Sequence, residues 1–382
     1  MVLLFPFVGL PRDDERGDLP LELSYFYAAD VALLALAMLA APRLVRATWS
    51  ARGLDLLWPA LFALLAIAFA VHPSARGIDV VLRVLGAVAL YRVVADLAPE
   101  RRIRMAMALG LTAVIQSVVA VLQVASGGPL GLRALGELGA DLASYGGPPL
   151  ARGTLGHEFI LAGLALVSAV VLGGTGLFAR RPAGWLVAAA LAVSSAGLIY
   201  GRTVALAFAL VCASLVRGAA RGPRHRLALA ALLVGFGVPA LLASEGWLPS
   251  VARGGTSDRG AMLAQALVIV AEEPVVGVGP GNYLQTLRAR PDLHITRQPQ
   301  HVHNVPVMLA AEAGVPAGLV AAMLLVGVGL RALRAGVPAI TLYLALAPFM
   351  VLDVLAYVTP QGMVLTALWL GFLRHPDTAA GP

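Results

Sequence analysis

Three short stretches of the chain carry residue types that can do chemistry. In Tyr200-Gly201-Arg202-Thr203, a lone cation separates two apolar runs with almost no loop to solvate it. An arginine so placed at a membrane boundary is costly and is a functional candidate by default. Arg259 follows Thr256-Ser257-Asp258 and precedes apolar residues at Met262, Leu263, Ala266, Leu267, Ile269 and Val270. That is helical spacing with a good cap, ended by Pro274. Arg259 then falls in a first turn, where free N–H groups and the helix dipole already favour an anion. The third stretch is Gln300-His301-Val302-His303-Asn304, just before an apolar run that opens with Pro306. Asn is a good N-cap and Pro belongs in a first turn, so His303 is held at a helix start. A dipole end of that sign disfavours imidazolium, so His303 should stay neutral and able to accept a proton. Two fixed cations and a neutral base suit displacement of a phosphate-type leaving group by a hydroxyl.

Blander readings compete with each assignment. Arg202 can snorkel to lipid headgroups, and Arg259 can simply support its helix. His301 and His303 form a possible metal pair, but Asp292 and Glu312 have no ligand-like spacing, so no metal site is assigned. Gly277-Val278-Gly279-Pro280-Gly281-Asn282 does not follow a βα strand and fails as a dinucleotide motif. Asp13-Asp14-Glu15 reads as a solvated loop. Asp79, Arg83 and Arg92 fit internal pairing in one span, and Gln116 and Gln123 fit bonds between helices. Glu312, more than two turns into its run, should face a neighbouring helix.

The elements that position these residues follow from composition. Of 382 residues, 59% are apolar and 13% charged, where soluble domains run near ~25% charged. Mean hydropathy is +0.84, which excludes a soluble enzyme, a coiled coil, a disulfide scaffold and a disordered tail. The single cysteine, Cys212, excludes intrachain disulfides. The net charge of +7 comes from 28 basic residues, all arginine. In a membrane protein the positive-inside bias accounts for it better than nucleic acid does. The fold class is therefore all-α, a polytopic bundle of about eleven spans, near 24–42, 54–71, 78–96, 104–125, 158–178, 184–200, 202–217, 227–244, 304–330, 338–352 and 356–373. The last two can pair as a re-entrant hairpin around Asp353. The apolar run at 1–11 is too short to cross and reads as the tail of a further, twelfth span, truncated or folded as an interfacial stub.

Arginines orient the spans. Fifteen lie in loops near 43–52, 101–104, 180–181, 217–226 and 331–334 and at 374, against four (Arg76, Arg133, Arg152, Arg202) in the alternate short loops. The richer set faces the cytoplasm. The chain divides into a stub and outer loop (1–23), eight spans with an outer loop at 126–157 (24–244), a large partly helical outer loop (245–303), the last spans (304–374) and a cytoplasmic tail (375–382). Long loops in tight bundles are usually functional, so the working face is the exterior or periplasm.

From about Arg152 to Gly318 the chain resembles the O-antigen ligase and polymerase superfamily of bacterial membrane glycosyltransferases. Gly153-Thr154-Leu155-Gly156-His157-Glu158-Phe159-Ile160-Leu161-Ala162 is similar to that family's small-residue lead into a span. Tyr200-Gly201-Arg202-Thr203 resembles its Ser-Arg boundary motif, with Gly201 in place of Ser. Asp258-Arg259 through Glu273-Pro274 and Gly277–Tyr283 is close to its arginine helix and glycine turn. His303-Asn304, nine residues, then Gly314 matches its most specific signature, although Ala317 and then Gly318 stand where a second glycine usually follows three places on. The resemblance implies a glycan donor on undecaprenyl or a related polyprenyl diphosphate. The acceptor is a sugar hydroxyl on lipid A-core, on another lipid-linked chain, or a protein. It makes His303, Arg202 and Arg259 catalytic and leaves His301, Asn304 and Asn282 to substrate binding. Ligase and polymerase share these motifs. No cofactor, nucleotide sugar, metal or nucleic acid is implied, and membrane lipids are the remaining partners. A lipid-linked sugar transporter, expected to show internal repeats and broken helices, is the rival from another class.

Overall fold

The computed structural model describes residues 35–39, 53–132, 135, 137, 151–178, 182–199, 201–219, 222–243, 259–293 and 300–374. Helices account for its regular structure, with no strand among the described residues. The stub at 1–23, the Asp13-Asp14-Glu15 loop, the Thr256–Asp258 cap, Tyr200 and the tail at 375–382 lie outside them, as does most of the 24–42 span.

The apolar runs from 54 onward meet helices. They are α1 (Leu57–Val71), α2 (Ala75–Ala95), α3 (Pro99–Ser126), α4 (Glu158–Phe178), α5 (Pro182–Gly197), α6 (Arg202–Ala219), α7 (Pro223–Leu242), α8 (Arg259–Glu272), α9 (Tyr283–Arg288), α10 (Val305–Ala335), α11 (Val337–Leu352), α12 (Leu355–Val358) and α13 (Pro360–Leu373). Their ends obey local rules. Ser74 Oγ accepts the Gly77 N–H at 2.9 Å and starts α2, while Gly127, at φ +73°, ends α3 in the left-handed conformation.

Five described helices are long and apolar enough to cross a membrane, Gly53–Val71, Pro99–Ser126, Arg202–Ala219, His225–Leu242 and Val305–Ala335. Their surfaces agree. Met107, Leu111, Ile115, Val118 and Leu122 form an exposed stripe at helical spacing on α3, and Leu319, Met323, Val326, Leu330 and Leu333 form another on α10. Continuous apolar stripes facing outward fit lipid rather than water as the surrounding solvent.

Inside, polar groups pair. Asp79 and Arg83 bridge at 2.8 Å within α2, but Arg92 reaches out of its helix to Asp55 at 3.9 Å. Gln116 and Gln123 do not bond helix to helix as expected. Gln116 exchanges two 2.8 Å hydrogen bonds with Thr154, and Gln123 donates to Gly153 O at 2.9 Å and accepts from Gly153 N at 2.9 Å. Helix α4 starts only at Glu158, so the backbone of a turn at 153–154, not a helix, faces these amides and needs their hydrogen bonds. Helices α11 and α13 do pair as an antiparallel hairpin about Asp353. Trp369 Nε1 donates to Leu342 O at 2.6 Å, and its ring stacks on Tyr343 at 5.7 Å.

The run at 304–330 departs from a simple span. Helix α10 breaks at Ala313-Gly314, where Gly314 takes φ +83°, ψ +164°. The loop after α8 fills the break: Val278 N donates to Ala311 O at 2.9 Å, Gly279 N to Glu312 O at 2.9 Å, and Val315 N to Pro274 O at 2.8 Å. A Cβ on Gly318 would meet Pro306 O at 2.8 Å, so the first half folds back against the second. About 21 residues follow the break, roughly 31 Å of helix and enough for one crossing. Gly314→Ala would force a glycine-only conformation and drive a methyl into Val275 O. It is expected to cost at least ~3 kcal/mol, read as a lowered thermal midpoint in detergent and faster proteolysis of 274–282. Gly127→Ala, with φ +73° but open space around its Cβ, should cost only ~1–2 kcal/mol. Equal effects of the two would show that the break is not locked by the loop.

Candidate functional site

Four element ends converge on His303. The residue after it, Asn304, caps α10 through Oδ1, which accepts Val307 N–H at 3.0 Å, and its Nδ2 donates to Val351 O at 3.0 Å. Both ends of this amide are thus engaged within the protein, and they pin the start of α10 to the end of α11. There Asp353, extended and buried, accepts the Val354 N–H at 2.7 Å. The charges that act on His303 are those of Asp353, Arg259 (the first residue of α8) and His157 (immediately before α4). Burial is the largest influence and holds the imidazole below its usual range; Asp353 opposes this, while Arg259 and His157 add to it. The ring is therefore neutral near pH 7, as a proton acceptor must be. Its Nδ1 is buried without a hydrogen-bond partner among the described residues.

His157 is built into the lead to α4. Its Nδ1 accepts Phe159 N–H at 3.2 Å and lies 3.7 Å from Glu158 Oε2, which Arg152 Nε approaches to 3.5 Å. Phe159 also borders the Arg202 segment, because a Cβ on Gly201 would lie 2.5 Å from Phe159 Cε1. Only glycine lets the chain pass there. Arg202 itself opens α6, is exposed, and is not among the charges acting on His303.

The glycine turn supplies the other flank. Gly281, at φ +73°, would bring a Cβ to 3.0 Å from Arg76 Cβ, which sets Arg76 of α2 against the turn. His301 is half-buried and stacked on Tyr283, centroids 6.3 Å apart. Burial, then the charges of His303 and Arg76, push it down to about 3. It is neutral at any physiological pH. Asn282 Nδ2 donates to Val278 O at 3.1 Å, leaving Oδ1 buried and unpartnered among the described residues, like Tyr283 OH. Burial and the nearby Glu312 charge raise the Tyr283 phenol, so that OH remains a donor. Orphaned buried polar atoms are rare. Here they gather around His301 and His303, with Thr203 Oγ1 and His72 Nε2 at the flanking helix ends.

Sequence reasoning missed four participants. Arg76 and Arg152 served only for orientation, His157 only as part of a motif, and Asp353 only as a hairpin centre. Asp353 has the signal that singled out Arg202, a lone charge between two apolar runs. Glu312 does face neighbours, accepting Tyr357 OH at 2.9 Å and Tyr283 N–H at 3.5 Å. Among the described residues no group of three His, Cys, Asp or Glu side chains is disposed to hold a metal. Compared with known proteins, the chain matches no family model, and none of the curated proteins matches it.

Proposed function

We propose that this protein is an integral-membrane glycosyltransferase of the O-antigen ligase and polymerase type. It moves a glycan from a polyprenyl diphosphate to a sugar hydroxyl at the outer face of the bacterial inner membrane. The observation that carries the reading is the meeting of a half-buried, neutral His303 with Arg259 and Asp353 at one end of the bundle. In the reaction, the acceptor oxygen bonds to the anomeric carbon as His303 takes its proton. The bond from that carbon to the diphosphate breaks, and its electron pair leaves on the diphosphate. Arg259 stabilises the charge that develops there, with Arg202 able to reach the same group from its exposed position. Asp353 favours the imidazolium that forms. The eleven-span topology, with the 245–303 loop outside, belongs to the same proposal. Ligation to lipid A-core is the form preferred, with polymerisation as the alternative.

The break in α10 favours a second reading, since broken helices line transporter sites. One reconstitution separates the two. Protein in liposomes, supplied with a polyprenyl-diphosphate glycan and a sugar acceptor on the Arg259 side, should release polyprenyl diphosphate and elongate the acceptor. Movement of the lipid-linked glycan between leaflets with no new glycosidic bond would establish the transporter instead.

A further inference from the structure

A cavity of about 90 Å³ opens at the other, arginine-rich end of the bundle, between the starts of α3, α5, α7 and α11 and the ends of α4, α6 and α13. Its wall is apolar, and among the described residues the lining side chains able to carry charge are Arg102 and His225. Arg102 is 9% exposed, and its Nε donates to Leu97 O at 2.8 Å, which fixes the guanidinium in the first turn of α3. His225 lies against α6 where Gly218 leaves room, a Cβ at that position falling 2.9 Å from His225 Cδ2. Gly173 borders the cavity, and a Cβ on it would meet nothing within 4 Å. An apolar slot beside a fixed cation and a second N–H donor matches a molecule with a hydrocarbon part and an anionic head. Inorganic phosphate would leave the slot empty, and a zwitterionic lipid would bring no net charge to the cation.

We propose that this cavity binds an anionic phospholipid of the surrounding leaflet, with acyl methylenes in the slot and the phosphate on Arg102 and His225. Basic pockets between membrane helices hold such headgroups through the same pairing of charge and burial. The site is independent of the glycan-transfer reading, because it shares no residue with the His303 end.

The test uses the full chain in a neutral detergent, with thermal unfolding followed on adding phosphatidylglycerol, phosphatidylcholine of the same chains, or inorganic phosphate. Phosphatidylglycerol should raise the midpoint by several degrees more than phosphatidylcholine, and phosphate should have no effect. Native mass spectrometry should show one tightly held phosphatidylglycerol. Arg102→Gln should weaken its retention at least tenfold, with a smaller loss for His225→Gln. Gly173→Leu should fill the slot and abolish the specific increment without lowering the lipid-free midpoint. If that variant fails to fold, the two glutamine variants decide. Equal stabilisation by both lipids, stabilisation by phosphate alone, or undiminished retention in Arg102→Gln would overturn the proposal.

Discussion

His303→Ala is expected to abolish glycan transfer while leaving expression and donor binding close to wild type. Loss of a general base costs ~10²–10⁴ in rate, visible as missing product in the liposome assay. The surroundings of the histidine add a pH signature. Its proton affinity lies below the ordinary histidine value, chiefly through burial and against the opposing pull of Asp353. Turnover should therefore hold through neutral pH and fall only as pH drops through that lowered value, where imidazolium can no longer accept a proton. Asp353→Asn removes the charge that favours imidazolium, so the acid fall should move to still lower pH. The plateau rate should drop in the same variant, because the imidazolium formed during transfer loses its partner. A well-expressed His303→Ala protein with near-wild-type transfer would remove the base assignment and send attention to His301.

Arg259→Ala should weaken donor binding and turnover together, because the diphosphate is bound before reaction and gains charge as it leaves. A lost charge-assisted contact of ~1.5–3 kcal/mol corresponds to roughly 10–100-fold in kcat/KM. Arg259→Lys should recover only part of this, since an ammonium cannot reproduce a bidentate guanidinium fork. Position makes a further demand. Arg259 is one of the charges that depress His303, so Arg259→Ala should shift the acid fall of activity upward in pH, while Arg259→Lys leaves it in place. A rate loss without that shift would mean Arg259 acts far from the base. A shift without a rate loss would mean it only tunes the histidine.

Much of this was legible in the residues because it is local. The Asn304 cap, the Pro at the start of α10 and the first-turn place of Arg259 each depend on a few neighbours in sequence, and each is where the spacing put it. What sequence left unread is non-local. Gly314 and Pro316 sit inside a continuous apolar run, and hydropathy averages over them; the break exists because backbone at 274–279 completes hydrogen bonds that α10 gives up. Asp353 and His157 reach His303 across 50 and 146 positions of chain. No periodicity records such a meeting. Gln116 and Gln123 were misread for a related reason, since an apolar run beginning at 158 does not reveal that a turn at 153–154 ahead of it lies against α3.

The folded-back half of α10 has a consequence for how the protein is made. At synthesis the 31 residues of α10 form a helix of roughly 46 Å if unbroken, longer than the bilayer is thick. On the proposed topology, residues 274–279 emerge first and cross to the far side before α10 is inserted. The loop is then already waiting as the template on which residues 305–312 bend back. His303 acquires its neighbours only when that docking is complete, so a half-inserted chain carries these side chains but not their arrangement.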